Sequence, residues 1–477
     1  MIALRKRPGR LAATIMAAVL WAGPAAAADY PDALLTTSVT PAIVAQGAEA
    51  DAYAQGIQAY VWGYPLVRME RVARQYTDVP ANNPPTSYRA PLNEIGWARD
   101  LATAASKDMP TSNNDTFYMS AIVDLDQPYI LSVPDTHDRY YVVDVFNMWQ
   151  ELEYYIGRRT TGTAAGSFAL VPPGWKGELP PGVTRLDVAT DTIWLWGRLR
   201  LTQGEDKAPV LALQKEFRLT PLSAFGNADA KPRAAVLPPP PDIASDELGF
   251  FTQLGAAVRA NPIKPADEAL FAQFARIGLT RDGFDASKLS PERRKGLLRA
   301  LQDGPSVAIS AFQSAAVQRN GRSWATGLDD FGFDYPLRAL VSGPYLGGQG
   351  EKEAMYPLRY TDSAGKVLTG ENAYTIKFAS APPVDAFWSL TVYNADDKLL
   401  VDNPIGRYKV GSDTQGLAAA ADGSITIPLR HAAPDGDAAK NWLPTPAGPF
   451  YLVLRLYQPR AEVLKGEYRL PEVVQDK

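Results

Sequence analysis

Ten residues of this 477-residue chain bring together amide, carboxylate, aromatic and guanidinium chemistry: Asn113, Asp115, Tyr118, Trp149, Trp388, Asn403, Arg407, Asn441, Trp442 and Arg455. Such groups suit the recognition of a polar or anionic small molecule or a sugar, through charge, hydrogen bonds and stacking. Arg455 is the most pointed of them. It alternates with Tyr451, Val453 and Tyr457 on one strand face, where a charge implies a partner carboxylate or a bound anion. The loop residues have a plainer reading: Asn403, Arg407, Asn441 and Trp442 would pin loops by satisfying backbone carbonyls. The Asn-Asn-Asp-Thr run at 113–116 would likewise bond its own backbone in a turn. Five acids, Asp115, Asp124, Asp144, Glu151 and Glu153, also cluster in sequence. Two carboxylates at the right separation perform glycoside-type acid/base hydrolysis without histidine. A carboxylate-based hydrolase is therefore the alternative to plain recognition, an envelope structural or interaction protein is a third, and whether the chain is an enzyme stays open.

Composition removes several other chemistries. The chain has no cysteine, which excludes thiolate catalysis, zinc-thiolate sites and iron-sulfur clusters. Its two histidines, His137 and His431, lie far apart in sequence, so no multi-histidine metal centre forms within one subunit. No Gly-x-Ser-x-Gly elbow, P-loop, dinucleotide glycine fingerprint or His-Glu-x-x-His occurs. The expectation is no metal and no cofactor. Residues 1–28 carry a basic leader (Arg5, Lys6, Arg7, Arg10), a short apolar run and Ala26-Ala27-Ala28, the pattern of a secretory signal peptide. Without its four basic residues the formal charge falls from -4 to about -8, which disfavours nucleic acid. A periplasmic or secreted protein follows, with no membrane span, a small molecule or sugar as partner, and homo-oligomer formation left open.

The elements that must position these residues show in the periodicity. Met119, Ala121 and Val123 alternate with Tyr118, Ser120 and Ile122, and Tyr141, Val143 and Val145 alternate with Val142, Asp144 and Phe146. Both read as strands with one face in a core and one face open to polar work. The turn-rich 134–139 segment between them predicts neighbouring antiparallel strands. A helix is predicted over 51–74, kinked at Pro65, and at least three more over 245–319, one starting at Ser290-Pro291. From Leu368 onward regular strands and turns predict a sandwich. The expected class is α+β, mainly antiparallel. Its parts are a β-rich N-terminal domain over 29–235, a Pro-rich spacer and helical insert over 236–330, and a jelly-roll-like C-terminal β-sandwich over 331–477.

Several motifs recur in a recognisable order. Asn113-x-Asp115-Thr116-x-Tyr118, Val133-Pro134-Asp135, Arg139-Tyr140 and Arg158-Arg159-Thr160-Thr161-Gly162 resemble the bacterial domain-of-unknown-function 1254 family. Phe387-Trp388-Ser389-Leu390-Thr391-x-Tyr393, Asn403-Pro404-x-x-Arg407-Tyr408, Asp422-Gly423-Ser424, Asn441-Trp442-Leu443-Pro444 and Arg455-Leu456-Tyr457 resemble its usual companion, family 1214. The resemblance implies an exported two-domain protein and brings no settled activity. One departure stands out: Asn147-Met148-Trp149-Gln150-Glu151 occupies the place of the family's more usual Asp-x-Trp-Thr-Asn.

Overall fold

The computed structural model describes residues 33–227, 236–311, 316–319, 322–325 and 328–477. The leader over 1–28 lies outside them. Two units divide the chain. Within Met1–Gly47 the described part holds the short helix Ala33–Thr36 and the opening turns of the long helix Pro41–Thr77. Ala48–Lys477 holds everything else. No helix among the described residues is long and apolar enough to cross a membrane.

The N-terminal β-rich part consists of two sheets. A five-stranded antiparallel sheet runs in the order Gly96–Trp97, Thr116–Asp124, Thr192–Arg200, Tyr141–Asn147, Leu152–Gly157. A four-stranded sheet holds Val183–Asp187, Gly166–Val171, Tyr129–Val133 and Arg218–Pro221. The two predicted neighbours, Thr116–Asp124 and Tyr141–Asn147, are not paired: Thr192–Arg200 lies between them and bonds both. The chain between them, ahead of the 134–139 segment, contributes Tyr129–Val133 to the other sheet. Neither strand has a face exposed to solvent. Phe117, Met119, Val123, Val143 and Leu195 fill the space toward Leu131 and Leu170. On the opposite face Tyr118, Ile122, Phe146, Trp194 and Trp196 pack under Leu66, Met69, Val72 and Tyr76 of the long helix. Burial of each such aromatic contributes roughly 1.5–3 kcal/mol, so a face reserved for water would forfeit much of this core.

The long helix continues through Pro65. Helices Gly249–Ala260, Glu268–Gln273 and Pro291–Ser310 pack around it, and the last begins where predicted, with the Ser290 hydroxyl accepting from Arg293 N. Backbones come close here: a Cβ at Gly296 would stand 2.4 Å from the Glu49 carbonyl oxygen.

The C-terminal part is a sandwich. One sheet orders Ala354–Met355, Phe450–Pro459, Val384–Asn394 and Lys409–Gly411, and the other Leu443–Pro444, Ile425–Arg430, Tyr374–Phe378 and Val473–Gln475. Between them Ile376, Phe378, Leu390, Val392, Leu452 and Leu456 form the core. The outer face of the Phe450–Pro459 strand has the opposite character, and it is turned toward the N-terminal part: Tyr457 meets Tyr140 at 5.6 Å between ring centroids, and the Tyr393 hydroxyl donates to Ser112 O at 2.5 Å. The fold is thus α+β with mostly antiparallel sheets.

Candidate functional site

A cavity of about 400 Å3 opens between the two β-rich parts. Its floor comes from the N-terminal sheet: Tyr118 stacks on Trp196 at 4.6 Å and 15°, and Arg198 follows two residues later on the same strand face. Its opposite wall is the outer face of the Phe450–Pro459 strand, through Tyr451, Val453, Arg455 and Tyr457. Arg68 and Tyr76 of the long helix, the 107–113 loop and the Gly-rich 343–348 loop close it. An interdomain cleft of this size is a usual place for a small ligand.

Charge in and behind this cavity is unevenly matched. Arg198 is bound to Asp144 at 2.5 Å and to Gly347 O at 2.9 Å. Gln349 donates to both oxygens of the same carboxylate, at 2.9 and 3.0 Å. Burial pushes the Asp144 carboxyl up to about 7, against the pull of Arg198 and Gln349. Lys409 reaches Asp115 at 2.7 Å and Asp413 at 3.2 Å, and Ser389 Oγ donates to Asp115 at 2.7 Å. Burial works to raise the Asp115 pKa, yet Lys409, Arg455 and these hydrogen bonds hold it below the ordinary carboxylate value. Arg455 is different. It is 3% exposed and donates to Thr391 Oγ1 at 3.2 Å and Thr111 O at 2.8 Å. It also lies over the Tyr393 ring at 5.4 Å, and it forms no ion pair with any described carboxylate.

The described cations lining the cavity are Arg68, Lys107, Arg198, Lys398 and Arg455. In a chain of formal net charge -4 that local surplus favours an anion. Asp108 is the one carboxylate lining the cavity among the described residues, and Arg89 takes it at 2.8 and 3.1 Å.

Of the ten residues singled out by sequence, Asn113, Tyr118 and Arg455 line the cavity. Asn113 also serves its own turn, its Oδ1 accepting from Asp115 N, Thr116 N and Thr116 Oγ1. Asp115 lies behind the wall, on Lys409. The other six stand elsewhere. Trp149 packs on Trp62 at 4.7 Å and donates to Pro262 O, and Trp388 belongs to the sandwich core. Asn403 ties Val401 O and Arg407 O, while Arg407 reaches the carbonyls of Ala439, Lys440 and Trp442. Asn441 bridges Ala418 and Thr426, and Trp442 donates to Arg430 O. These are loop pins. None of the five clustered acids lines the cavity: Glu151 is held by Lys264 and Arg338, and Glu153 by Asn147 and Ala189 N. Sequence reasoning missed Arg198 as a site residue, although Trp194, Trp196 and Arg198 repeat the aromatic-arginine alternation that marked Arg455. It also missed the 343–348 loop, which carries no motif beyond glycine.

Residues 92–221 match the family model described as protein of unknown function (DUF1254) and residues 353–461 the one described as protein of unknown function (DUF1214). The chain carries both domains, in that order, as the motif resemblance implies. Among solved structures it is similar to the VPA0106 protein from Vibrio parahaemolyticus, with 26% identity, a TM-score of 0.67 and coverage of 89% of this chain and 100% of that one. It also matches a putative uncharacterized protein from Burkholderia cenocepacia, at 13% identity and a TM-score of 0.41 over 91% of this chain and 95% of that one. No similarity that weak bears on this chain's properties. No curated protein matches.

Proposed function

We propose that this protein binds an anionic small molecule in the cavity between its two β-rich parts, with Arg455 as the anchor. One observation carries the reading: a guanidinium 3% exposed, facing a ligand-sized space, with no described carboxylate in ion-pair contact. Withdrawing a cation from water costs several kcal/mol; the Asp115 charge nearby offsets part of that without an ion-pair contact, and a bound anion would supply the direct partner. A neutral sugar fits less well, because sugar hydroxyls need acceptors and the lining carboxylate, Asp108, is already committed to Arg89. The hydrolase alternative loses ground on the same geometry, since Asp115, Asp144 and Glu151 are held by cations and Glu153 by an amide, and none of the clustered acids lines the cavity. Export to the periplasm or the medium belongs to the proposal on the strength of the leader pattern, and N-terminal sequencing that begins near Asp29 would support it.

Native mass spectrometry after exposure to a metabolite extract tests the binding. The parent should retain anionic small molecules and Arg455→Gln should retain none. Equal retention of a neutral molecule by both would contradict the proposal.

A further inference from the structure

The geometry points to a planar, aromatic or conjugated monocarboxylate as the ligand, an inference that rests on the anion-binding reading and narrows it. Four features of the cavity lead there.

First, the lining cations Arg68, Lys107, Arg198, Lys398 and Arg455 face a single lining carboxylate, Asp108, among the described residues, which favours an anion. Second, phosphate sites draw on backbone N–H groups at glycine-rich turns, and the glycine-rich loop here has spent several of its own. Gly343 N, Leu346 N and Gly348 N donate to the carbonyls of Leu340, Gly343 and Tyr345. Third, the donors that remain suit a carboxylate. Arg455 uses two guanidinium hydrogen bonds of the five that the group can make, in a fork matched to two coplanar oxygens. Beside it stand the hydroxyls of Tyr118 and Tyr457, which feel the Arg455 charge and donate to no described residue. Burial holds the Tyr457 phenol well above its usual pKa, so it is a donor at neutral pH. Fourth, the lining includes flat aromatic faces. The Tyr118–Trp196 stack forms one slab, and the Tyr393–Tyr451 pair, 5.3 Å apart at 24°, stands behind the other wall. A conjugated body fills such a slot by stacking.

Isothermal titration of the full chain with four probes tests this: 2-naphthoate, 2-naphthamide, acetate and inorganic phosphate. The expected result is saturable one-to-one binding of naphthoate, at least tenfold tighter than any other probe. Arg455→Gln should abolish it, and Tyr457→Phe should weaken it roughly tenfold, the loss of one charge-assisted hydrogen bond. If phosphate or acetate binds as tightly as naphthoate and Arg455→Gln abolishes that binding, the monocarboxylate inference falls while the anion site stands. If naphthamide matches naphthoate, or Arg455→Gln binds every probe as the parent does, both fall. Should Arg455→Gln not fold, the amide comparison and Tyr457→Phe decide alone: unchanged affinity in either overturns the inference.

Discussion

Asp115 and Arg455 share one electrostatic neighbourhood and differ in how they are held. Asp115 has a full set of partners in Lys409 and Ser389, so it reads as a pin between the two halves. Asp115→Asn would strand the Lys409 ammonium, and breaking a buried pair costs about 3–5 kcal/mol. Asp413 remains near Lys409, so the expected loss in urea unfolding lies at the low end of that range. Because folding depresses this carboxyl, its contribution is complete above the unfolded value of about 3.9 and is lost only as pH falls below it. Asp144 has the opposite sign. Its folded pKa of about 7 means that the native state holds a proton the unfolded chain has released, so this group's share of stability declines as pH rises from about 4 to 7. The groups that act on it are Arg198, Gln349 and Glu353, with Tyr155 and Tyr356 also in its field. Protonating it leaves the Arg198 charge uncompensated in the cavity wall. Anion affinity should therefore rise between pH 8 and pH 6, and titration calorimetry at the two pH values checks the direction; a lower affinity at pH 6 would contradict it.

At the scale of elements, the strands and the Ser290-capped helix were legible because their apolar residues repeat with period 2 or 3.6. Pairing was not legible. The alternation in Thr116–Asp124 and Tyr141–Asn147 specifies strands without saying which strand lies between them, and Thr192–Arg200 takes the centre because its tryptophans fill the space under the long helix. The site was partly legible for a related reason. Arg455 stood out because a charge between aromatics conflicts with a buried strand, whereas Asn403, Arg407 and Asn441 looked alike in sequence and proved to bond backbone carbonyls. The 343–348 loop has significance only in three dimensions. Gly347, at φ 69°, lies so close to the aromatic floor that a Cβ would come within 2.7 Å of Trp196 Nε1. Gly347→Ala should cost roughly 1–2 kcal/mol in left-handed strain plus a displacement of Trp196, and should weaken ligand binding. Gly406, at φ 58° with open space around its Cβ position, is the control. Gly406→Ala should incur the strain alone, and urea unfolding of the two variants would separate contact from conformation. Equal losses in both, with binding intact, would remove the loop from the site.

At the scale of the molecule, the two matched domains meet through a surface unlike either core. Sheet interiors here are aliphatic and aromatic, whereas the facing surfaces present Arg198, Arg455, Asp115, Lys409 and a set of tyrosines. Hydrophobic packing of the same shape would hold two domains at least as well, so a guanidinium without an ion pair in that surface needs another reason, and the proposed anion supplies it. Without ligand, that charge contributes little to the fold. Thermal unfolding of ligand-free Arg455→Gln beside the parent tests this most directly. Two charge-assisted hydrogen bonds are lost, about 1.5–3 kcal/mol each before glutamine replaces part of them, and the desolvation cost of a buried guanidinium that makes no ion pair is relieved. The variant should melt close to the parent and well above Asp115→Asn; a fall as large as that of Asp115→Asn would make Arg455 a structural residue and contradict the account.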